Sequence, residues 1–336
     1  MWPNRLFFHR RHQQTSFHAE PVRWPMQADL PPATFLGLED STATPDIVIM
    51  PIPYELTTSY GQGTEHGPAA TITASTQVEL YDPLLPEDLP CGYKIKTAPA
   101  WNGQGNTLKE QLAGITEYVS TNLASGAFPI ALGGEHGMLP AILSALGNLP
   151  VLNTDLSKLT LVQIDAHADL RNQLDGDADS HACAARRALD LGIGQLLQMG
   201  IRAISREEAD VIESDERVTT WMARDVLSIC DGQAHWQTWL DTIRGIQGPV
   251  WLTIDVDGLD PAYVPTTGTP VPGGLAYWQV VDTIEAVAKS CGVNWLGADI
   301  NEIVPDANNH VSEFTAAMLA TKVVAAHIST KLNNED

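Results

Sequence analysis

The sequence predicts an α/β fold built on a mostly parallel β-sheet. Short apolar runs recur at Ile47–Ile52, Phe128–Leu132, Leu159–Ile164, Leu197–Ile201, Val250–Ile254 and Trp295–Ala298. Between several of them lie stretches with helical character: Thr107–Ser125, Met138–Leu146, Ala182–Leu191, Arg206–Ser214 and Tyr277–Lys289. Strands that alternate with helices form βαβ units around a parallel sheet. Ligand sites on such sheets gather at the carboxyl ends of the strands.

The remaining elements follow from local chemistry. Pro68 can open a helix over Ala69–Ser75, since its missing N–H is unneeded in a first turn. Pro261–Gly274 holds four prolines and three glycines and reads as a rigid loop. Asn301–Ser312 reads as another loop and Glu313–Ser329 as a last helix. Tyr60–Pro68 contains Gly61-Gln62-Gly63, but no strand–GxGxxG–helix unit or GK[ST] accompanies it, so a phosphate loop is not expected.

Composition sets the outer limits. With no fixed-period repeat and no Pro/Ser-rich linker, 336 residues read as a single domain over residues 36–336. An arm, residues 1–35, precedes it. Its first part is basic, with Arg5, Arg10, Arg11 and Arg23 against Glu20, and is expected to lie on the core or on a neighbouring subunit. No stretch approaches the roughly 20 consecutive apolar residues of a membrane span. The net charge of −22, from 41 acidic and 19 basic residues, argues against nucleic acid and anionic membranes and suits a cationic ligand. Cys91, Cys183, Cys230 and Cys291 are far apart and contain no CxxC, so no disulfide framework is expected and the cytoplasm is the default location.

Three segments concentrate the chemistry. Asp165-Ala166-His167-Ala168-Asp169 follows one apolar run and Asp255-Val256-Asp257 another. Gly133-Gly134-Glu135-His136-Gly137 follows a third. Side chains at i, i+2 and i+4 of extended backbone share a face, so each cluster would aim its polar groups at one spot. A single aspartate after a strand usually caps a helix or opens a turn. Four converging carboxylates would repel one another unless cations sat between them. Oxygen-rich ligands with two imidazoles suit manganese better than a structural zinc, with nickel, cobalt or iron left open.

These segments resemble the ureohydrolase family of arginases and agmatinases. The family's GG[DE]H, DAHxD and [ST]xDxDxxDP motifs read here as Gly133–His136, Asp165–Asp169 and Thr253–Pro261, in the family's order. The resemblance implies a three-layer α/β/α fold with a doubly wound, mostly parallel sheet. It also implies two Mn2+ per subunit, or Ni2+ or another divalent ion. His136, Asp165, Asp169 and Asp255 would hold one ion, and Asp165, His167, Asp255 and Asp257 the other. The ions would acidify a water that attacks a guanidinium carbon, releasing urea and an amine. By the same resemblance, His181 would move a proton to the leaving amine, Glu302 would bind the guanidinium, Asp169 would help orient the nucleophile and Asp299 would support the ligands. A homotrimer or homohexamer is implied as well.

Thr58–Thr64, Ser180-His181-Ala182, Gly200-Ile201-Arg202 and Thr269–Leu275 lean toward the agmatinase branch. The expected substrate is agmatine, cleaved to putrescine and urea. Aminopropylagmatine, guanidinobutyrate, arginine and free guanidine are the alternatives. All six metal-ligand residues are present, which argues against a catalytically dead regulatory relative and against a single-zinc, deacetylase-like site. His66 and His310 are expected to be bystanders.

Overall fold

Alternation along each strand sends side chains to two opposite faces, and helices cover both. The computed structural model describes residues 33–39, 43–103, 105, 107–290 and 293–335. The strands are β1 (Ile47–Ile52), β2 (Ile95–Thr97), β3 (Phe128–Gly133), β4 (Thr160–Ile164), β5 (Gln195–Ile201), β6 (Val218–Met222), β7 (Gly248–Asp255) and β8 (Val293–Asn301). They form one eight-stranded sheet in the order β2-β1-β3-β8-β7-β4-β5-β6. Every pairing between them is parallel.

The helices are α1 (Gly67–Ser75), α2 (Leu108–Leu123), α3 (Leu139–Leu146), α4 (Ala184–Asp190), α5 (Arg206–Ser214), α6 (Ala223–Val226), α7 (Gly232–Arg244), α8 (Tyr277–Lys289) and α9 (Val311–Glu335). Ile47, Ile49, Ile130, Leu252 and Ile254 pack with Ile72 of α1, Trp239 of α7, Ile284 of α8 and Leu319 of α9. Their strand neighbours Val48, Met50, Ala131 and Trp251 face the other way, toward Ile115 of α2, Ile142 of α3 and Ala185 of α4. The expected three-layer α/β/α architecture is therefore the observed one, and the sheet is parallel throughout.

The route of the chain fixes where a site can form. From β4 it runs outward through β5 to the β6 edge, then returns to β7 on the other side of β4 and on to β8. Neighbouring strands whose connections leave in opposite directions open a crevice at their carboxyl ends. The β3, β8, β7 and β4 ends lie side by side there.

Some elements differ from expectation. β8 is longer than Trp295–Ala298, α9 starts at Val311, and β2, β6, α6 and α7 join the expected set. The α7 residues Trp236, Trp239, Leu240 and Ile243 are buried at helical spacing. Within α9, Val311–Asn333 is long and apolar enough to cross a membrane, at mean hydropathy 1.2, but 72% of that window is buried against the rest of the protein. It is a core helix. Cys91, Cys183 and Cys230 carry free thiols, while Cys291 lies outside the described residues. The expected N-terminal arm also lies outside them up to residue 32, and Phe35 is already buried in the core.

One buried group on α9 makes stability depend on pH. His327 stacks on Phe128 with ring centroids 3.7 Å apart. Burial, helped by Lys331, pushes its pKa from 6.5 down to about 4. Between those values the unfolded chain binds more protons than the folded one, so acidification destabilises the fold. His327→Phe is expected to lose about 2 kcal/mol less stability than the wild type between pH 7 and pH 5. Urea denaturation at the two pH values checks this, and an equal loss in both proteins would contradict it.

Candidate metal centre and catalytic site

The site is assembled from the ends of four adjacent strands. At the end of β3, a side chain on Gly133 or Gly134 would collide with Asn301 or with the Tyr54 backbone. The glycines therefore let this turn press against β1 and β8, and the next two residues, Glu135 and His136, enter the interior fully buried.

His136 Nε2 lies 2.8 Å from Thr253 Oγ1, and that hydroxyl donates to Asp299 Oδ1 at 2.6 Å. Asp299 also accepts from Trp251 Nε1 and from Asn301 Nδ2. With the Thr253 proton committed to Asp299, its oxygen must accept from His136, so Nε2 carries the ring proton. Nδ1 then turns a lone pair toward carboxylate oxygens of Asp165 at 3.2 Å, Asp169 at 3.0 Å and Asp255 at 3.6 Å. Nδ1 is buried and has no hydrogen-bond partner among the described residues. Burial opposes charge on this ring, yet Asp165 and Asp169 pull its pKa well above the usual value, and a metal ion would take the place of the proton they hold there, so these residues fit one.

Asp165 stands directly past β4, where its Oδ2 accepts from Gln163 Nε2 at 2.8 Å and its Oδ1 from the His167 backbone at 2.7 Å. Gln163 is held in turn by Gln198, and Gln198 by the Thr220 hydroxyl, a chain of side-chain hydrogen bonds running across β4, β5 and β6. His167 Nδ1 lies 3.0 Å from Asp257 Oδ2. Two ligand triads result, His136–Asp165–Asp255 and Asp165–His167–Asp257, with the ligand atoms of each within 4.8 Å of one another. Asp165 belongs to both. Asp255 belongs to the first alone, and Asp169 approaches through His136.

The aspartates converge by a different route from simple alternation. β7 ends at Asp255, whose Oδ1 caps a short 3₁₀ turn by accepting from the Asp257 backbone at 2.9 Å. Asp257 arrives on that turn, and its Oδ1 accepts from the Ala166 backbone at 3.0 Å. Asp169 takes left-handed backbone, φ 54°, as does Glu302, φ 68°, just past β8. Such values cost energy in non-glycine residues and cluster at functional sites. Arg202 locks the turn from behind, its guanidinium donating to the carbonyls of Asp257 at 2.7 Å and Val271 at 2.6 Å.

Proton affinities follow this crowding. Burial pushes the Asp169 carboxyl up to about 7, with the Asp165 charge adding. Burial likewise pushes Asp255 well above the carboxylate range, with Asp257 and Asp165 adding. Burial opposes charge on His167, yet Asp165 and Asp257 pull it up to about 11. Divalent cations bound here would displace those protons.

A cavity of ≈ 240 Å³ opens above the ligands, lined by His136, His167, Asp169, His181, Asp255, Asp257 and Glu302. Glu302 Oε1 accepts from the His136 backbone at 2.7 Å. His181 begins the turn that leads into α4, with Nδ1 3.2 Å from Thr57 Oγ1. Burial lowers its pKa. Arg171, Leu174, Ala182 and Glu208 line the cavity too, and Arg171 Nε lies 3.7 Å from Glu208 Oε2. Every expected ligand and catalytic residue except Asp165 lines the cavity; Asp165 and the supporting Asp299 are fully buried. His66 and His310 do not line it and have exposed side chains. Sequence reasoning missed Thr57, Gln163 and the hydrogen-bonding role of Thr253.

Comparison with known proteins agrees with this geometry. Residues 45–328 match the family model described as Arginase family. An N(1)-aminopropylagmatine ureohydrolase from Synechocystis is 36% identical over 302 residues, covering 87% of this chain and 93% of its own. An agmatinase from Pyrococcus horikoshii is 32% identical, covering 83% of this chain and 91% of its own. The crystal structure of the agmatine ureohydrolase of Thermoplasma volcanium superposes with a TM-score of 0.70 at 28% identity, covering 86% of this chain and 92% of that one.

Proposed function

We propose that this chain, which belongs to the arginase family, hydrolyses agmatine to putrescine and urea. As a family member it is a metal-dependent hydrolase of guanidino C–N bonds. The observation that carries the reading is the paired triads sharing Asp165, with His136 Nδ1 turned toward the carboxylates. Two divalent cations, manganese first, would be held by His136, Asp165, His167, Asp169, Asp255 and Asp257 and would supply the Lewis acidity that makes water nucleophilic near neutral pH.

The other residues divide the remaining work. Burial, with Glu135 and Asp257 adding, raises the Glu302 carboxyl well above its ordinary range, and two divalent cations together with a bound guanidinium would favour its charged form. Its Oε1 serves the His136 backbone, which leaves Oε2 to accept from the substrate. His181, half-buried at the cavity wall with its pKa lowered by burial, takes a proton from the attacking water and passes it to the departing amine. Asp169 orients the nucleophile from beside His136.

The cavity mouth favours a cationic tail. Arg171, the one Lys or Arg among the lining residues, is engaged by Glu208, and Asp175 and Asp177 are exposed beside Leu174. A carboxylate tail, as in guanidinobutyrate or arginine, finds no free cation there among the described residues. The Synechocystis relative supports a second reading, aminopropylagmatine, whose longer tail carries a further amine. A homotrimer or homohexamer in a reducing cytoplasm completes the proposal.

Urea release from these compounds, with manganese and with nickel, tests it. Agmatine with the highest kcat/KM supports the first reading and aminopropylagmatine the second. Preference for arginine or guanidinobutyrate contradicts both. His181→Asn is expected to keep its metal and lower kcat by about 10²-fold. Metal analysis and steady-state kinetics check this, and unchanged kcat removes His181 from the mechanism.

A further inference from the structure

We propose that Thr57 is a positioning residue that holds His181 with its proton on Nδ1 and its Nε2 lone pair free for the cavity. The proposal rests on the hydrolase reading above, in which His181 moves the proton. Thr57 lies on the loop after β1 and His181 on the turn before α4, 124 residues apart in sequence. The connection between them starts at Glu135. Its carboxylate is fully buried, and Oε2 accepts the backbone N–H of Leu56 at 3.0 Å and of Thr57 at 2.7 Å. Oε1 takes the Thr57 hydroxyl at 2.8 Å.

A threonine hydroxyl has one proton and two acceptor lone pairs. Burial raises the Glu135 pKa, and the bonds from Thr57 and Leu56 oppose that by favouring the carboxylate. With the Thr57 proton given to this carboxylate, Oγ1 can only accept from His181. Two contacts converge on it, the His181 backbone N at 2.9 Å and the ring Nδ1 at 3.2 Å. Nδ1 must therefore be the donor. Ser180 Oγ, 3.4 Å away, is a longer partner for the same nitrogen. Nε2 has no hydrogen-bond partner among the described residues, and the ring lines the cavity. In the neutral ring this tautomer puts the basic nitrogen where substrate binds. Burial favours the neutral ring, and the bond from the His181 backbone to Thr57 opposes it.

Gly137 closes the arrangement. A side chain there would press on Glu135 Oε1 at 3.1 Å and on the His181 backbone at 3.3 Å.

Thr57→Val and Thr57→Ser, prepared as metal-loaded protein, test the assignment. Thr57→Val is expected to lower kcat by about 10- to 100-fold with little change in KM or metal content. Thr57→Ser is expected to restore kcat to within about threefold of wild type, since it keeps the hydroxyl. Long-range 1H–15N correlation of histidine-labelled, zinc-loaded protein reads the tautomer directly, with His181 assigned from the His181→Asn spectrum. Wild type and Thr57→Ser should show the Nδ1–H form, and Thr57→Val should lose it. An Nε2–H ring in wild type, wild-type kcat in Thr57→Val, or equal impairment of both variants overturns the proposal. If Thr57→Val does not fold, the wild-type tautomer decides. If wild type releases urea from no guanidino compound, the hydrolase reading fails, and the spectrum still decides the role of Thr57.

Discussion

Asp165→Ala is expected to empty both cation positions at once and to cut urea release by at least about 10³-fold. The expectation follows from Asp165 being the ligand common to the two triads. It also touches the ring nitrogen of His136 at 3.2 Å and supports the His167 backbone, so its loss loosens both imidazoles. Lewis-acid catalysis is worth several kcal/mol, and each factor of ten in rate is about 1.4 kcal/mol. His136→Ala and His167→Ala each remove a ligand from one triad and should cost less metal than Asp165→Ala. Metal content by mass spectrometry, measured on the samples used for kinetics, checks the ranking. Full metal content in Asp165→Ala would contradict the shared-ligand assignment.

Glu302→Gln is expected to lower kcat/KM by about 10²- to 10³-fold while both cations stay bound. The amide oxygen can still accept the His136 backbone N–H, so the turn that carries His136 survives. What disappears is the negative charge that meets the guanidinium, and charge-assisted hydrogen bonds are worth about 1.5–3 kcal/mol each. Glu302→Ala would be a poorer probe, because it strands the buried His136 N–H. Steady-state kinetics with agmatine, together with metal analysis, separate the two effects. Unchanged kcat/KM would rule out Glu302 as the guanidinium partner.

The fold was legible where strands are central and buried. β1 matches its apolar run at both ends, and the runs ahead of His136, Asp165 and Asp255 became β3, β4 and β7. β2 escaped because Ile95-Lys96-Thr97 is three residues at a sheet edge, too short for a pattern. β6 is the opposite edge strand, with Thr219 exposed and Thr220 half-buried, so its sequence lacks a continuous apolar run. The α7 residues Trp236, Trp239, Leu240 and Ile243 do carry helical spacing in the sequence.

The ligand residues were legible because their types and spacing are rare together. The backbone path was not. Alternation would have kept Asp255 and Asp257 extended, whereas a 3₁₀ turn and two left-handed residues complete the site. The hydrogen-bond partners were hidden for another reason. Thr253 lies 117 residues from His136, and Thr57 lies 78 residues from Glu135. Only the sheet order brings such pairs together, and a lone threonine carries no signal of its own.

Counting metal ions per chain in fully active protein tests the central claim most directly. The paired triads predict two divalent cations per 336-residue chain, with urea release falling as the second is withdrawn. A single ion in fully active protein, or unchanged urea release after both are removed, would contradict it.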